Sequence, residues 1–403
     1  MIFLADQIYD LRILLHRIRF YENGKSACII DRIGELLMTG MRPISVLTFG
    51  SGAVGTYVGG SLAMAGHKVV FIEQASVAAD LRQRGLRLDL SIDKSRRASE
   101  PVIVPPAFIG VVSSPEEALK LGPFDIAIFA MKSFDTLTAL EGIKPFTDRM
   151  PPILCIQNGV ENEPAIAALL GAERVIAGTV TCSIFRRAAG DIVLERARGI
   201  GIASGHPLSE QLREAFNSAS LNARLCSRPA DMKWSKLLAN LPGTATAAIL
   251  DISPGEIFSH PGLYNLEIRM AHEALAVMAA QGIHPVNLPD MPVQALALAL
   301  RLPRFLAHPI LNKVVGGGRG GKMPSFHIDL HAGRRKSEVE WLQGAVVRYG
   351  EKFGVPTPVS RLETETLLAM VRGEISIAEF SHQPEKLIGL LEKSYQSVPA
   401  FGK

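Results

Sequence analysis

The sequence predicts an α/β domain built on a parallel sheet, followed by a mainly α-helical domain. Near-continuous apolar runs of strand length recur between residues 44 and 156, with helical patterns between them, as in a parallel sheet covered on both faces. After about residue 205 this alternation stops and long helical patterns take over. We therefore expect an α/β domain over 41–210 and a helical domain over 211–403, preceded by an N-terminal extension at 1–40.

The composition is typical of a folded, enzyme-sized chain. The 403 residues include 43 basic and 39 acidic side chains, so the formal net charge is only +4, and 47% of the residues are hydrophobic. This apolar content excludes a mainly disordered chain, and the small charge excess makes nucleic acid an unexpected partner. The four cysteines are scattered, without C-x-x-C spacing or histidines at metal-ligand spacing. We therefore expect a cytoplasmic protein with no metal site and no membrane partner.

The first forty residues carry no recognisable chemistry. Residues 1–20 are rich in Ile, Leu and Phe, but Asp6, Asp10 and several arginines are too many charges for the core of an export signal. We interpret 1–40 as an extension of the reading frame that precedes a start at Met38 or Met41. A short amphipathic helix is the alternative.

A glycine fingerprint follows the first predicted strand. After the apolar run at 44–49 comes G-x-G-x-x-G, and then a helix of small residues over 56–65 and a second strand over 67–72. Such glycines permit a tight turn, the approach of a pyrophosphate and close helix–strand packing, while the helix N-terminus attracts negative charge. The context predicts a Rossmann dinucleotide site. Its candidate residues are Gly50, Ser51, Gly52, Ala53, Val54 and Gly55.

The acidic residue at the end of the second strand bears on the choice of cofactor. An acid at this position usually binds the ribose 2′-hydroxyl of NAD and repels the 2′-phosphate of NADP. Here it is Glu73, followed by the neutral Gln74, and the nearest cations, Arg82 and Arg84, fall on the next predicted helix. These residues favour NAD(H), with a solvated loop glutamate as the alternative.

Polar residues follow two further predicted strands. Lys132 comes directly after the apolar run at 124–130, and Asn158 comes after the run at 152–156. An open α/β sheet binds its ligand at the carboxyl ends of its strands. We therefore take Lys132 and Asn158 as candidate site residues, although either could simply cap its loop.

The helical half contains a polar face at helical spacing. Lys236, Asn240 and Thr244 are four residues apart within an otherwise apolar segment, so on a helix they project from one side. Pro242 and Gly243 should interrupt this helix, because proline lacks a backbone donor and glycine loosens the turn. We expect a broken helix that presents a lysine and an amide to a substrate.

A glycine-rich segment precedes two more candidate elements. Residues 316–322 lack the ending of a phosphate-binding loop and follow no strand, so we interpret them as a hinge or lid. Ser325 and Asp329 then span one predicted helical turn. Further on, a charged stretch that includes Ser337 and Glu338 marks a helix start.

From Met41 to about residue 370 the chain resembles the ketopantoate reductase (2-dehydropantoate 2-reductase) family. In this family a Rossmann domain precedes a helical domain like the C-terminal domain of 6-phosphogluconate dehydrogenase. The resemblance lies in the order and spacing of several motifs together. These are the fingerprint at 50–55, Lys132, Asn158-Gly159, Lys236-x-x-x-Asn240, Pro324-Ser325-x-x-x-Asp329, Ser337-Glu338 and the GVPTP segment at 354–358.

The resemblance implies NADP(H)-dependent reduction of a 2-oxo acid, most simply ketopantoate to pantoate in pantothenate biosynthesis. It makes Lys236 the general acid, which gives a proton to the ketone oxygen. A positioned ammonium suits this step, because hydride addition develops alkoxide charge on that oxygen. It also implies that Glu338 orients Lys236 and contacts the substrate or the cofactor.

The resemblance gives the remaining candidates binding roles. Asn158 would lie between nicotinamide and substrate, and Lys132 near the cofactor. Asn240 and Ser325 would bind the hydroxyl and carboxylate of the 2-oxo acid. Asp329 would orient other side chains from outside the site.

Three departures from the family pattern leave alternatives open. Thr244, taken here as a substrate-binding residue, stands where the family usually has a second asparagine, and residues 284–322 are longer than the family core. Both favour a different, bulkier 2-oxo acid. Gln74 stands where the family usually has an arginine for the 2′-phosphate, so NAD(H) is an alternative to NADP(H). A non-catalytic dinucleotide sensor is less favoured, because a sensor needs no proton donor such as Lys236. The oligomeric state stays open, with a homodimer as one option.

Overall fold

The computed structural model describes residues 42–96, 99–311 and 323–396. The expected extension at 1–40 and the glycine-rich segment at 316–322 lie outside the described residues. Within them, the predicted order of an α/β domain followed by a mainly helical domain is confirmed.

Twelve strands form two sheets in the described part of the chain. The main sheet has eight strands in the order β12-β11-β8-β7-β6-β1-β2-β5, and the second has the order β4-β3-β10-β9. Neighbours in the main sheet are parallel except β11, which runs antiparallel to β8. The strands are β1 (Ser45–Phe49), β2 (Lys68–Ile72), β3 (Leu86–Asp89), β4 (Val102–Val104), β5 (Gly110–Val112), β6 (Ile126–Phe129), β7 (Ile153–Cys155), β8 (Val175–Val180), β9 (Ser183–Ala188), β10 (Asp191–Arg196), β11 (Ile200–Ala203) and β12 (Ala223–Cys226).

Helices cover the main sheet and then form the second domain. Those of the α/β domain are α1 (Ala53–Met64), α2 (Ala75–Arg84), α3 (Pro115–Leu119), α4 (Thr136–Ile143), α5 (Asn162–Leu170) and α6 (Ser209–Ser218). Those that follow are α7 (Pro229–Asn240), α8 (Thr244–Leu250), α9 (Pro254–Ser259), α10 (Pro261–Ala280), α11 (Val293–Ala299), α12 (Arg304–Leu311), α13 (Ser325–His331), α14 (Gln343–Phe353), α15 (Pro358–Arg372) and α16 (Pro384–Gln396).

The apolar strand runs are buried on both faces of the main sheet. Along β1, Val46 belongs to the larger hydrophobic core and Leu47 to the smaller one on the opposite face. In β6, Ile128 and Phe129 divide in the same way. Because successive side chains of a strand point to opposite faces, a strand covered by helices on both sides must be apolar throughout. This explains why these strands were predictable.

The strand order reverses beside β1. From β1 the sheet continues through β2 on one side and through β6 and β7 on the other. The loops that follow β1 and β6 therefore diverge at a switch point, where open α/β sheets bind their ligands. The fingerprint at 50–55 and Lys132 lie in these two loops.

The α/β domain is longer than expected. We placed its end at residue 210, but β12 pairs in parallel with β11 through Ala203 and Cys226, so the sheet continues to Cys226 and the helical domain begins with α7. The strand was not recognised because it lies at the sheet edge, where Arg224 is exposed and the apolar run is short. An edge strand lacks the continuous apolar pattern of a central one.

The smaller sheet was not predicted from the sequence. Its β9–β10 hairpin reaches the fingerprint loop, where the Gly190 N–H donates to the carbonyl of Ser51 over 2.9 Å. The turn of the hairpin thus contacts the fingerprint loop directly.

In the part of the chain that the structure describes, no helix combines the length and the apolar character needed to cross a bilayer.

Two glycines of the fingerprint should respond differently to alanine. A Cβ on Gly55 would lie 1.9 Å from the carbonyl oxygen of Gly50, whereas a Cβ on Gly52 would meet no atom within 4 Å. We expect Gly55→Ala to lower Tm by several degrees, because overpacking costs about 1–3 kcal/mol. The matched control, Gly52→Ala, should leave Tm within about 1 °C of the parent. Thermal unfolding followed by circular dichroism measures both, and equal Tm values for the two variants would contradict this account of the turn.

Candidate active site

The fingerprint loop has the geometry of a pyrophosphate-binding turn. Gly50 has φ +92°, a conformation that favours glycine, and the close approach of Gly55 to Gly50 lets α1 begin directly after the strand. Gly52 caps α1 without a side-chain hydrogen bond. The N–H groups of the first helical turn and the open space beside Gly52 therefore suit an anionic group. These residues fit the phosphates of a dinucleotide.

Glu73 lies against this loop. Its Oε1 accepts hydrogen bonds from the backbone N–H of Ser51 and from the Ser51 hydroxyl, the latter over 2.8 Å. Its Oε2 accepts from the N–H of Gln74 over 3.1 Å. The carboxylate is thus fixed at the end of β2, beside the loop that receives the phosphates.

The two nearby arginines have other partners. Arg82 Nε donates to the carbonyl of Val111 over 2.8 Å, and its guanidinium lies 3.8 Å from Glu117. Arg84 pairs with Asp80 and donates to the carbonyl of Ala189. Both guanidinium groups therefore hold parts of the α/β domain together.

A buried polar network joins the loops that follow β6 and β7. The Ser133 hydroxyl and the Asn162 amide both donate to the carbonyl of Asn158, over 2.8 Å and 2.7 Å. The Gln157 amide donates to the Thr136 hydroxyl over 2.8 Å, and that hydroxyl donates to Asn162 Oδ1. These bonds fix the backbone of Asn158 and leave its side chain directed to the helical domain.

Asn158 and Asn240 meet across the domain boundary. Asn240 is the last residue of α7, and its Nδ2 donates to Asn158 Oδ1 over 3.2 Å. Lys236, one turn earlier on α7, is half-buried on the same side of the helix. Its charge reaches Cys182: burial raises the pKa of that thiol, and Lys236 is among the groups that partly offset the rise.

Lys132 forms a second link between the domains. Its Nζ donates to Glu338 Oε2 over 2.6 Å and lies 3.4 Å from Asp329 Oδ2. Burial acts to lower the pKa of this ammonium, but the charges of Glu338 and Asp329 outweigh it and raise the pKa. Arg334 lies 3.2 Å from the other oxygen of Asp329. Lys132 therefore stays protonated where the two domains meet.

The structure shows a partner for Glu338 that differs from the one we expected. Its side chain is 4% exposed and ion-paired with Lys132, whereas the family resemblance placed it beside Lys236. Glu338 begins a short 3₁₀ helix (Glu338–Trp341), and Ser337 caps that helix by accepting from the Val339 N–H over 3.2 Å. The orientation of Lys236 by Glu338 stays a prediction.

The helix that carries Lys236 breaks where Pro242 and Gly243 predict. α7 ends at Asn240 and α8 begins at Thr244, with Gly243 at φ +69° between them. The Gly243 N–H donates to Glu267 Oε2 over 2.8 Å, and Glu267 is 1% exposed. A buried carboxylate on α10 thus holds the break. The sequence search overlooked Glu267 because it lies on an apolar helix without a motif.

Thr244 is bound to its own helix turn. Its hydroxyl donates to the carbonyls of Asn240 and Leu241, so only its lone pairs are open to a ligand. We expected Thr244 to bind substrate where the family usually has an asparagine, and this role stays a prediction. In the structure its single proton is engaged by its own helix turn, so a substrate would meet the lone pairs of this hydroxyl.

Ser325 lies exposed at the first residue of α13. Asp329 follows four residues later on the same face of this helix and reaches Lys132, as described above. The structure therefore brings Asp329 against the α/β domain, while a substrate contact of Ser325 stays a prediction.

A lysine that the sequence search did not select is the most buried cation of the site region. Lys233 is 5% exposed, and its Nζ donates to the carbonyls of Gln157 and Gly178 over 2.6 Å and 3.2 Å. It also lies 2.7 Å from Glu163 Oε1. Burial acts to lower the pKa of Lys233, but the charge of Glu163 outweighs it and the pKa is raised. The available sequence signal was a second lysine three residues before Lys236, in the largely apolar segment at 232–238.

The fold and the site together define a two-domain oxidoreductase with a dinucleotide-binding loop at the switch point of a parallel sheet. Residues 46–205 match the family model described as ketopantoate reductase PanE/ApbA, and residues 230–373 match that of its C-terminal domain. The chain belongs to the ketopantoate reductase family, which confirms the resemblance drawn from its motifs.

Individual relatives agree over most of the chain. A 2-dehydropantoate 2-reductase of Pyrococcus horikoshii is 25% identical over 343 residues, which cover 83% of this chain and 98% of the relative. A crystal structure of a PanE/ApbA family ketopantoate reductase from Ralstonia eutropha JMP134 has TM-score 0.68 and 25% identity, and covers 82% of this chain and 99% of that one. D-mandelate dehydrogenase, solved with NADH and anilino(oxo)acetate, shares the fold with TM-score 0.66 at 19% identity, over 81% and 98% of the two chains.

The buried ion pair should be needed for stability. Lys233→Met leaves Glu163 buried without its cation, and breaking such a pair costs about 3–5 kcal/mol. We expect the free energy of unfolding in urea to fall by this amount, and Glu163→Leu added to Lys233→Met to restore most of it. The control is Lys336→Met, which removes an exposed pair with Asp135 and should cost less than about 1 kcal/mol. Equal losses for the two lysine variants would refute the role of Lys233.

Proposed function

We propose that this protein reduces a 2-oxo acid to the 2-hydroxy acid with NADH, and that ketopantoate is the simplest substrate. The observation that carries the proposal is the hydrogen bond between Asn240 and Asn158, because it sets the Lys236 face of α7 against the carboxyl end of β7. In a sheet of this topology, a dinucleotide that starts at the fingerprint loop extends along the carboxyl ends of the strands. The reactive end of the cofactor would then meet Lys236.

The bound nicotinamide supplies the hydride, and the residues of this chain supply position and a proton. Lys236 holds the proton for the carbonyl oxygen and, as an ammonium, stabilises the alkoxide charge that develops there. Asn158 would lie between the nicotinamide and the substrate, and Asn240 and Ser325 would bind the hydroxyl and the carboxylate of the substrate. Lys132 stays charged between Glu338 and Asp329, and this ion-paired group fixes the loop after β6 against the helical domain beside the proposed substrate site.

The loop residues favour NADH over NADPH. The Glu73 carboxylate is fixed beside the fingerprint, where it would accept from a ribose 2′-hydroxyl and repel a 2′-phosphate. Arg82 and Arg84, the cations on the helix that follows Glu73, pair with Glu117 and Asp80. This arrangement supports NAD(H), although the family resemblance by itself implies NADP(H).

A different, bulkier 2-oxo acid is the second candidate substrate. Thr244 directs its proton to backbone carbonyls, so the donor of the family's second asparagine is lost from the site. A substrate without a hydrogen-bond acceptor at this position would lose no binding energy when the asparagine is replaced by threonine. A dinucleotide sensor without activity is disfavoured, because it gives no reason to set Lys236 and Asn240 together on one helix face.

Lys236→Ala should abolish the proton transfer without affecting the cofactor. We expect kcat with NADH and ketopantoate to fall by about 10²-fold or more, because general acid catalysis contributes at least this much. NADH affinity, measured by fluorescence titration, should stay within about twofold. The control is Lys352→Ala, an exposed lysine on α14. Full turnover in Lys236→Ala would overturn the assignment of this lysine. If the parent protein binds NADH but does not oxidise it with ketopantoate, other 2-oxo acids replace ketopantoate as the proposed substrate.

Glu73→Gln should relax the choice between cofactors. Removing the charge ends the repulsion of a 2′-phosphate, so we expect the ratio of kcat/KM for NADH over NADPH to fall by about tenfold or more. Glu116→Gln is the matched control, because Glu116 is exposed and pairs with Lys120 away from the loop. An unchanged ratio in Glu73→Gln would mean that this carboxylate does not read the ribose.

A further inference from the structure

Two histidines and an aspartate form a cluster at the end of α8. His327 and His331 are four residues apart on α13, and their rings stack with centroids 4.0 Å apart. Asp251, the residue that follows α8, places Oδ1 2.6 Å from His327 Nε2 and 3.6 Å from His331 Nε2. Three groups that ligate transition metals therefore converge from two helices.

The spacing of the three ligand atoms suits a metal ion after small side-chain adjustments. One nitrogen or oxygen of each residue lies within 4.8 Å of the others. Zinc binds histidine nitrogen and carboxylate oxygen at about 2.0–2.2 Å, which in a tetrahedron sets the ligand atoms about 3.3 Å apart. Side-chain rotations that move these atoms by about 1 Å or less reach that arrangement for Asp251 with either histidine. The donor set of two imidazoles and one carboxylate leaves a fourth position for water.

Solvent reaches the cluster while its inner ligand is held in place. The side chain of His331 is 36% exposed and that of Asp251 is 32% exposed, whereas that of His327 is 13% exposed. Asp251 has φ +53°, a left-handed conformation that aspartate tolerates, and this turn directs its carboxylate to α13. An ion can therefore enter from one side and find ligands already directed at it.

A third histidine lies at the edge of the cluster, because the backbone N–H of His382 donates to the carbonyl of Leu250 over 2.7 Å. His327 Nε2 and Asp251 Oδ1 share a hydrogen bond of 2.6 Å. A metal ion bound through His327 Nε2 would displace the proton of this bond, so we expect metal affinity to fall as the pH is lowered.

The cluster lies away from the reacting groups but on the same helix as two of the site candidates. At 100° per residue, His327 and His331 lie on the face of α13 opposite to Ser325 and Asp329. The first face meets the end of α8, and the second reaches Lys132 through Asp329. An ion in the cluster would link α8 to the helix that carries Asp329.

We propose that Asp251, His327 and His331 form a binding site for a transition-metal ion of the zinc class, which links the end of α8 to α13. The site is independent of the proposed reductase activity. We had expected no metal site, because the cysteines lack the spacing of metal ligands. Histidines at i and i+4 on a helix are the sequence signal that this search did not include.

The experiment is a titration of the full chain with Co²⁺ and then Zn²⁺. The protein is prepared with a chelator and without a polyhistidine tag. We expect one Co²⁺ per chain, with the visible absorption of cobalt in a four- or five-coordinate site, and loss of that absorption when Zn²⁺ displaces the cobalt. Zn²⁺ in excess of its Kd should raise Tm by a few degrees, because it binds only the folded state.

Single substitutions decide whether these residues are the ligands. His327→Gln and His331→Gln should each weaken Co²⁺ binding by tenfold or more, while His284→Gln, at an exposed histidine elsewhere, should bind as the parent does. Circular dichroism and Tm in the presence of chelator check that each variant is folded. No cobalt absorption in the parent, or equal binding in all three variants, would overturn the proposal.

Discussion

The buried ion pair between Lys233 and Glu163 is the interaction on which the candidate site depends. Lys233 belongs to the first helix of the helical domain, and Glu163 belongs to the α/β domain, where Gln157 and Gly178 also accept from the lysine. A buried charge that loses its partner is costly, so this contact permits one placement of α7 against the sheet. Lys236 and Asn240 take their positions from that placement.

The remaining polar contacts between the domains surround the proposed reaction site. Asn158 bonds to Asn240 on one side, and Lys132 pairs with Glu338 on the other. An exposed pair between Arg348 and Glu161 lies farther out. Each domain supplies half of every pair, so neither domain alone would hold the site together. Polar pairs also let the cleft admit water and an anionic substrate, which an apolar interface would exclude.

Two buried carboxyl groups on other helices form hydrogen bonds to the broken helix. Glu267 accepts from the Gly243 N–H at the break, and Glu363 accepts from Thr246 in the helix that follows. Burial and then the charge of Glu267 raise the pKa of Glu363 well above its usual range, which favours retention of a proton by this pair. Buried polar groups are tolerated when they are hydrogen-bonded, and here they fix the direction of α8. Asp251 directly follows the same helix, so the break also sets the position of this proposed metal ligand.

By itself the sequence determined the elements whose signal is local. The strand, glycine fingerprint and helix at 44–65, the strands before Lys132 and Asn158, and the break at Pro242-Gly243 follow from period, turn chemistry and backbone sterics over a few residues. The short edge strand β12 carried too weak a pattern to be predicted, and through it the main sheet continues past residue 210. Only the tertiary structure decided that Glu338 pairs with Lys132, that Lys233 lies buried against Glu163, and that Asp251 meets His327. The two residues of each pair are 70 to 206 positions apart in the sequence. They meet because charge and geometry match in the folded chain, and such a contact has no periodic signature along the sequence.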